Sequence, residues 1–144
     1  MIEQDTIKLL RECDAGVKMG VSSIDDVLPY TTSPELQRQL RQCREDHEAL
    51  GSEIQTLLRQ YRDDGKEPNP VAKSMSWMKT NVKLVLDESD ATIADLITDG
   101  CNMGVKSLSR YLNEYKAADE SSKDITKRLI RLEERLSVDL RPRL

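Results

Sequence analysis

Apolar residues recur along the chain at steps of three and four, the spacing that keeps side chains on one face of an α-helix, and nowhere alternate long enough for a strand. The first stripe, Leu9, Leu10, Cys13, Val17, Gly20, Val21, Ile24, Val27 and Leu28, predicts a helix over residues 4–28, stopped by Pro29. Ser33 followed by Pro34 reads as the cap and first turn of a second helix. Its seam of Leu36, Leu40, Cys43, His47, Leu50, Ile54, Leu57 and Tyr61 is narrow, as bundle packing requires. It runs into the breaker-rich stretch DDGKEPNP at residues 63–70.

Beyond Pro70 the segment VAKSMSWMKTNVKLVL is amphipathic and, with a break near Thr80 and Asn81, leads into a long third helix. That helix carries Val82, Val85, Leu86, Ile93, Leu96, Ile97, Gly100, Gly104, Leu108, Tyr111, Leu112 and Tyr115. A polar joint at residues 118–122 precedes a last helix with Ile125, Leu129, Leu132, Leu136 and Leu140 on one face, up to Pro142. The short joints make two antiparallel hairpins, residues 4–62 and 82–141. The connection at 63–81 is longer, and its first eight residues alone reach about 26 Å when extended. The predicted fold class is therefore all-α: a single ferritin-like four-helix bundle over residues 1–144, with one long crossover. An internal repeat supports two copies of one hairpin. Met19-Gly20-Val21-Ser22-Ser23-Ile24 recurs as Met103-Gly104-Val105-Lys106-Ser107-Leu108, and Gly16 falls on Gly100 at the same offset.

Composition narrows the function classes. The chain is 38% apolar and 33% charged, with one Trp, four Tyr and no Phe, so its core is aliphatic and aromatic stacking is not its main binding device. Its 22 basic and 26 acidic residues are interspersed and leave a net charge of −4, with no footprint for nucleic acid or an anionic membrane. Glu3, Asp5, Lys8, Arg11 and Glu12 interrupt the apolar run a signal peptide would need, and no window is apolar enough to span a bilayer, so a cytoplasmic protein is expected. Cys13, Cys43 and Cys101, odd in number and widely spaced, read as reduced, buried thiols.

The run Cys13-Asp14-Ala15-Gly16-Val17-Lys18-Met19-Gly20, the helix start Ser33-Pro34-Glu35-Leu36, and Ser76-Trp77-Met78-Lys79 leading to a helix that ends Tyr111-Leu112 resemble an uncharacterised bacterial family of ferritin-like four-helix-bundle proteins. The resemblance spans nearly the whole chain and implies the fold, with no activity attached. Di-metal bundles need a Glu on each of two helices and Glu-x-x-His on each of the other two. Here the only histidine is His47, three residues after Arg44; the fourth helix has none, and residues 100–104 of the third helix read GCNMG, without a carboxylate.

His47 nevertheless occupies a seam position at mid-bundle level, beside Cys101 and near the level of Glu133 or Glu134. A buried histidine–carboxylate pair is one reading; an atypical metal site of His47, Cys101 and Glu133 is another, and Cys43 with His47 at i,i+4 has chelating spacing. Gly16, Gly20, Gly100 and Gly104 are expected to serve helix packing, by tight crossing or by making room for a large neighbour, with a small-ligand pocket as the alternative. Trp77 and Met78 form either an interface knob or a cap on the bundle end. No phosphate loop, catalytic triad or acid pair at motif spacing is present. The expectation is a non-catalytic structural or interaction module without cofactor, forming a homodimer or binding another protein. The alternatives are a metal-binding or redox bundle around His47 and a thiol-based sensor.

Overall fold

The structure, a computed structural model, describes residues 2–68 and 89–144. Among these residues there are four α-helices and no strand: α1 (Ile2–Val27), α2 (Pro34–Gln60), α3 (Asp90–Glu114) and α4 (Glu120–Leu140), with 3-10 turns at Leu28–Tyr30 and Arg141–Arg143. Each long helix after the first begins where a side-chain oxygen meets an otherwise unpaired N–H. Ser33 Oγ accepts from Leu36, Ser89 Oγ from Thr92, and Asp119 from Ser122. The calls for Trp77, Met78, Val82, Val85 and Leu86 lie outside the described residues.

Contacts at the two ends fix the helix directions. At one end, Asp5 accepts the Ala117 N–H, Thr6 Oγ1 accepts that of Asp119, and the Tyr61 hydroxyl donates to Asp119. At the other, the Asp90 carboxylate accepts the Thr32 and Ser33 N–H groups, and Arg143 reaches Ser33 and Glu35. Thus α1 and α4 run one way and α2 and α3 the other. The connection from Gln60 to Asp90 joins opposite ends of helices about 38 Å long, so this is a bundle with one crossover.

The start of the crossover is pinned along α1. Arg11 pairs with Asp63 at 3.1 Å, Lys18 with Glu67 at 3.0 Å, and the Lys66 N–H donates to Asp14 at 2.9 Å. Gly65 sits there at φ 94°, where any Cβ would run into the Asp14 carboxylate.

The core divides into two apolar halves. One gathers Ile24, Val27, Leu36, Leu40, Cys43, Ile93, Ile97, Cys101, Leu136 and Leu140; the other Leu10, Cys13, Val17, Leu50, Ile54, Leu58, Leu108, Ile125 and Leu129. Between them each helix contributes one residue that is not a hydrocarbon: Gly20, His47, Gly104 and Glu133. Two details depart from the sequence reading. Leu58, not Leu57, is fully buried, because a straight helix of 3.6 residues per turn drifts off a 3.5-residue seam and the stripe steps 50, 54, 58. Ser122, placed in the joint, belongs to α4 and is fully buried, its hydroxyl donating to the Asp119 carbonyl.

Candidate functional site

At the polar level of mid-bundle, titratable groups from α2, α3 and α4 meet inside the core. His47, 1% exposed, projects from α2 into space left by Gly20 of α1. A Cβ on Gly20 would lie 2.7 Å from His47 Nε2 and 2.8 Å from Cδ2, so the imidazole fits only because that position lacks a side chain. On the other hairpin, Gly104 of α3 faces Glu133 of α4, where a Cβ would stand 3.5 Å from the carboxyl carbon. Gly20 therefore makes room for the imidazole, whereas Gly104 stands in ordinary packing contact with the Glu133 carboxylate.

Protonation follows from the neighbours. His47 Nδ1 lies 2.8 Å from the Cys43 carbonyl oxygen, which only accepts, so Nδ1 carries hydrogen and donates. Nε2 lies 2.9 Å from Glu133 Oε1, and a proton must stand between nitrogen and oxygen. Burial works against the charged imidazole, but the hydrogen bonds to Cys43 and Glu133 and the Glu133 charge outweigh it, raising the His47 pKa from 6.5 to about 10. At neutral pH the pair is an imidazolium held by a carboxylate.

Two thiols complete the layer. Cys43 Sγ is 3.4 Å from His47 Nδ1, and the Cys101 thiol lies close enough to Glu133 to feel its charge. Burial first, then the Glu133 charge, keeps Cys101 protonated. Cys13 stands apart in the other half-core, 3.1 Å from Thr126 Oγ1; burial pushes its pKa up to about 12 against the pull of that hydrogen bond. All three cysteines are free and buried. A thiol sensor needs a depressed pKa, the opposite of what Cys13 and Cys101 have.

The structure thus brings His47 and Glu133 together as a hydrogen-bonded pair, with Cys101 beside Glu133. Whether they fit a metal, as the architecture invites, turns on their donor atoms. Nδ1 is committed to the backbone, and Nε2 meets Glu133 at 2.9 Å through the shared proton. An ion bound tetrahedrally at about 2.0–2.1 Å to both would hold nitrogen and oxygen about 3.3 Å apart and expel that proton. Among the described residues, no group of three or more His, Cys, Asp or Glu side chains is arranged around a common point for an ion. The residues do not fit a metal as they stand.

The remaining glycines separate. Gly16 is in ordinary packing contact, 3.8 Å from Leu129 and 4.0 Å from Leu108 for an added Cβ. Gly100 corrects the packing expectation: it is exposed on α3, and a Cβ there would meet no described atom within 4 Å. Its helix has turned that position outward, as it has Met103, 68% exposed.

One residue escaped the sequence reading. Asp14 is 2% exposed and accepts from Gln55 Nε2 at 2.7 Å, Lys18 Nζ at 2.9 Å and the Lys66 N–H, latching the crossover to α1. The signal was present in the i,i+4 pairing of Asp14 with Lys18 beside a core cysteine.

No helix among the described residues is long and apolar enough to cross a membrane. Comparison of the chain with family models, curated proteins and solved structures gives no match.

Proposed function

We propose that the chain is a ferritin-like bundle of two pseudo-repeated hairpins that serves as a non-catalytic structural or interaction module, self-associating as a homodimer in the cytoplasm. The observation that carries this reading is the His47–Glu133 pair. At the level where the architecture elsewhere holds metal, the available imidazole nitrogen and the carboxylate are spent on each other. A proton takes the place of the cation.

The pseudo-repeat draws support from the glycines. Gly20 and Gly104 are equivalent in the repeat, and each receives the polar side chain of its own hairpin partner, His47 in one copy and Glu133 in the other. Reduced buried thiols suit the cytoplasm. The work of the layer is specificity: sliding a helix by one turn would strand a charge in hydrocarbon, so one register is selected.

Elemental analysis of untagged protein purified anaerobically, before and after incubation with iron, zinc or manganese, tests the reading. Metal far below one per chain in every preparation is expected. About one metal per chain, lost in His47→Ala, would overturn it and favour the atypical site of His47, Cys101 and Glu133.

A further inference from the structure

The outer face of α2 and α4 carries a groove of about 350 Å³, floored in part by Leu132 and Leu136. Its walls hold Arg38 and Asp46 on α2 and Arg135 and Asp139 on α4. Arg38, Arg135 and Asp139 have no hydrogen-bond or ion-pair partner among the described residues, and Asp46 takes only the Gln42 amide, at 3.0 Å.

The placement of these charges is symmetric. The two helices are antiparallel, and the His47–Glu133 and Glu53–Arg128 contacts set Gln42 of α2 beside Val138 of α4. On α2, Arg38 and Asp46 stand four residues either side of Gln42, about 6 Å each way. On α4, Arg135 and Asp139 stand two residues either side of Ser137, one residue from Val138. Both helices therefore reverse their charge about the same level.

A two-fold axis lying across the helices at that level would lay α2 on α2 and α4 on α4 of a second copy, antiparallel. Each of the two groove arginines then meets an aspartate, Arg38 facing Asp46 and Arg135 facing Asp139, and each contact occurs twice. Val138, 48% exposed, lies one residue from that axis. With the axis near Gln42, about 12 Å from the start of α2 at Pro34, the two copies overlap over about 24 Å of helix. A face about 20 Å wide then offers at most roughly 480 Å² per copy, the size of a small, reversible interface.

We infer that this face is the interface of an isologous homodimer, with two copies of the chain meeting antiparallel across α2 and α4. The inference deepens, and rests on, the reading of the chain as a self-associating module.

Sedimentation equilibrium of the full chain at low salt tests it, with circular dichroism confirming that the helices are retained. Arg38→Asp or Asp46→Arg alone sets like charges face to face at two contacts and is expected to raise the dimer Kd by about tenfold or more. Combining the two changes restores the pairing in reverse and should bring Kd back to within about threefold of the parent. Gln42→Cys, next to the axis in a chain whose own thiols are buried, is expected to form a disulfide-linked dimer on mild oxidation. A parent chain that stays monomeric at every concentration would overturn both the dimer and the face. A dimer indifferent to both single changes and unlinked through Gln42→Cys would overturn the face alone.

Discussion

Replacing Gly20 by alanine isolates the polar layer, because local and tertiary effects have opposite signs there. In a helix interior, alanine is favoured over glycine by about 1 kcal/mol. Against this, the new Cβ would lie 2.7 Å from His47 Nε2, and the ring cannot swing aside without leaving the Cys43 carbonyl at 2.8 Å or Glu133 at 2.9 Å. Breaking a buried pair of this kind costs about 3–5 kcal/mol. The net expectation is a loss of about 2–4 kcal/mol, a large part of a typical domain's stability of about 5–15 kcal/mol. Urea denaturation followed by far-ultraviolet circular dichroism at pH 7 measures it. Gly100→Ala, on an open surface, supplies the control and should gain about 0.5–1 kcal/mol. In a His47→Ala background the obstruction is gone, so Gly20→Ala should become neutral or stabilising, a coupling read from the double-mutant cycle. Gly20→Ala as stable as the parent, with no coupling to His47, would refute the reasoning.

Other consequences of the buried pair can be checked with the same assay. His47→Leu leaves the Glu133 carboxylate buried without its cation and should cost about 3–5 kcal/mol, whereas His47→Leu with Glu133→Leu should recover most of the loss; equal losses in both would contradict the pairing. Because the folded His47 pKa lies above its unfolded value of 6.5, the stabilisation is complete below about pH 6.5 and drains away as pH rises towards 10. Stability should therefore fall more steeply between pH 7 and pH 10 in the parent than in the double leucine variant, and parallel profiles would speak against it. Native protein at pH 8 should show negligible reaction with a disulfide titrant and three thiols once unfolded; a fast thiol in the folded state would revive a sensor role.

The four helices and the single crossover were legible because periodicity and breakers are local signals, and the Ser33-Pro34 start appears in the structure as read. The caps at Ser89 and Asp119 were not read, and the third helix starts at Asp90, where extended Ser89 caps it, rather than at residue 82. His47 and Cys101 were placed at mid-bundle by counting along the helices, and Glu133 was narrowed to one of two neighbours. The choice between Glu133 and Glu134 required the true rotation of α4 about its axis, which a step of 100° per residue makes decisive. The same limit explains Gly100: a repeat in sequence fixes which residues correspond, but not whether both copies face the core, and α3 turns Gly100 to solvent while α1 packs Gly16. The Asp14 latch depends on contacts with residues 41 and 52 positions away, and no pattern within one helix foretells such partners. The proton shared by His47 and Glu133 was equally hidden, since it follows from the Cys43 carbonyl occupying Nδ1.

With one histidine in the chain, the ¹⁵N resonances of its ring are assigned without ambiguity. A long-range ¹H–¹⁵N spectrum at pH 7, repeated with added zinc and iron, tests most directly whether a proton occupies the place of a metal. Both His47 nitrogens should appear protonated, unchanged by either metal, with the imidazolium persisting well above pH 7. A nitrogen bearing a free lone pair at pH 7, or one whose resonance moves on stoichiometric metal, would contradict it.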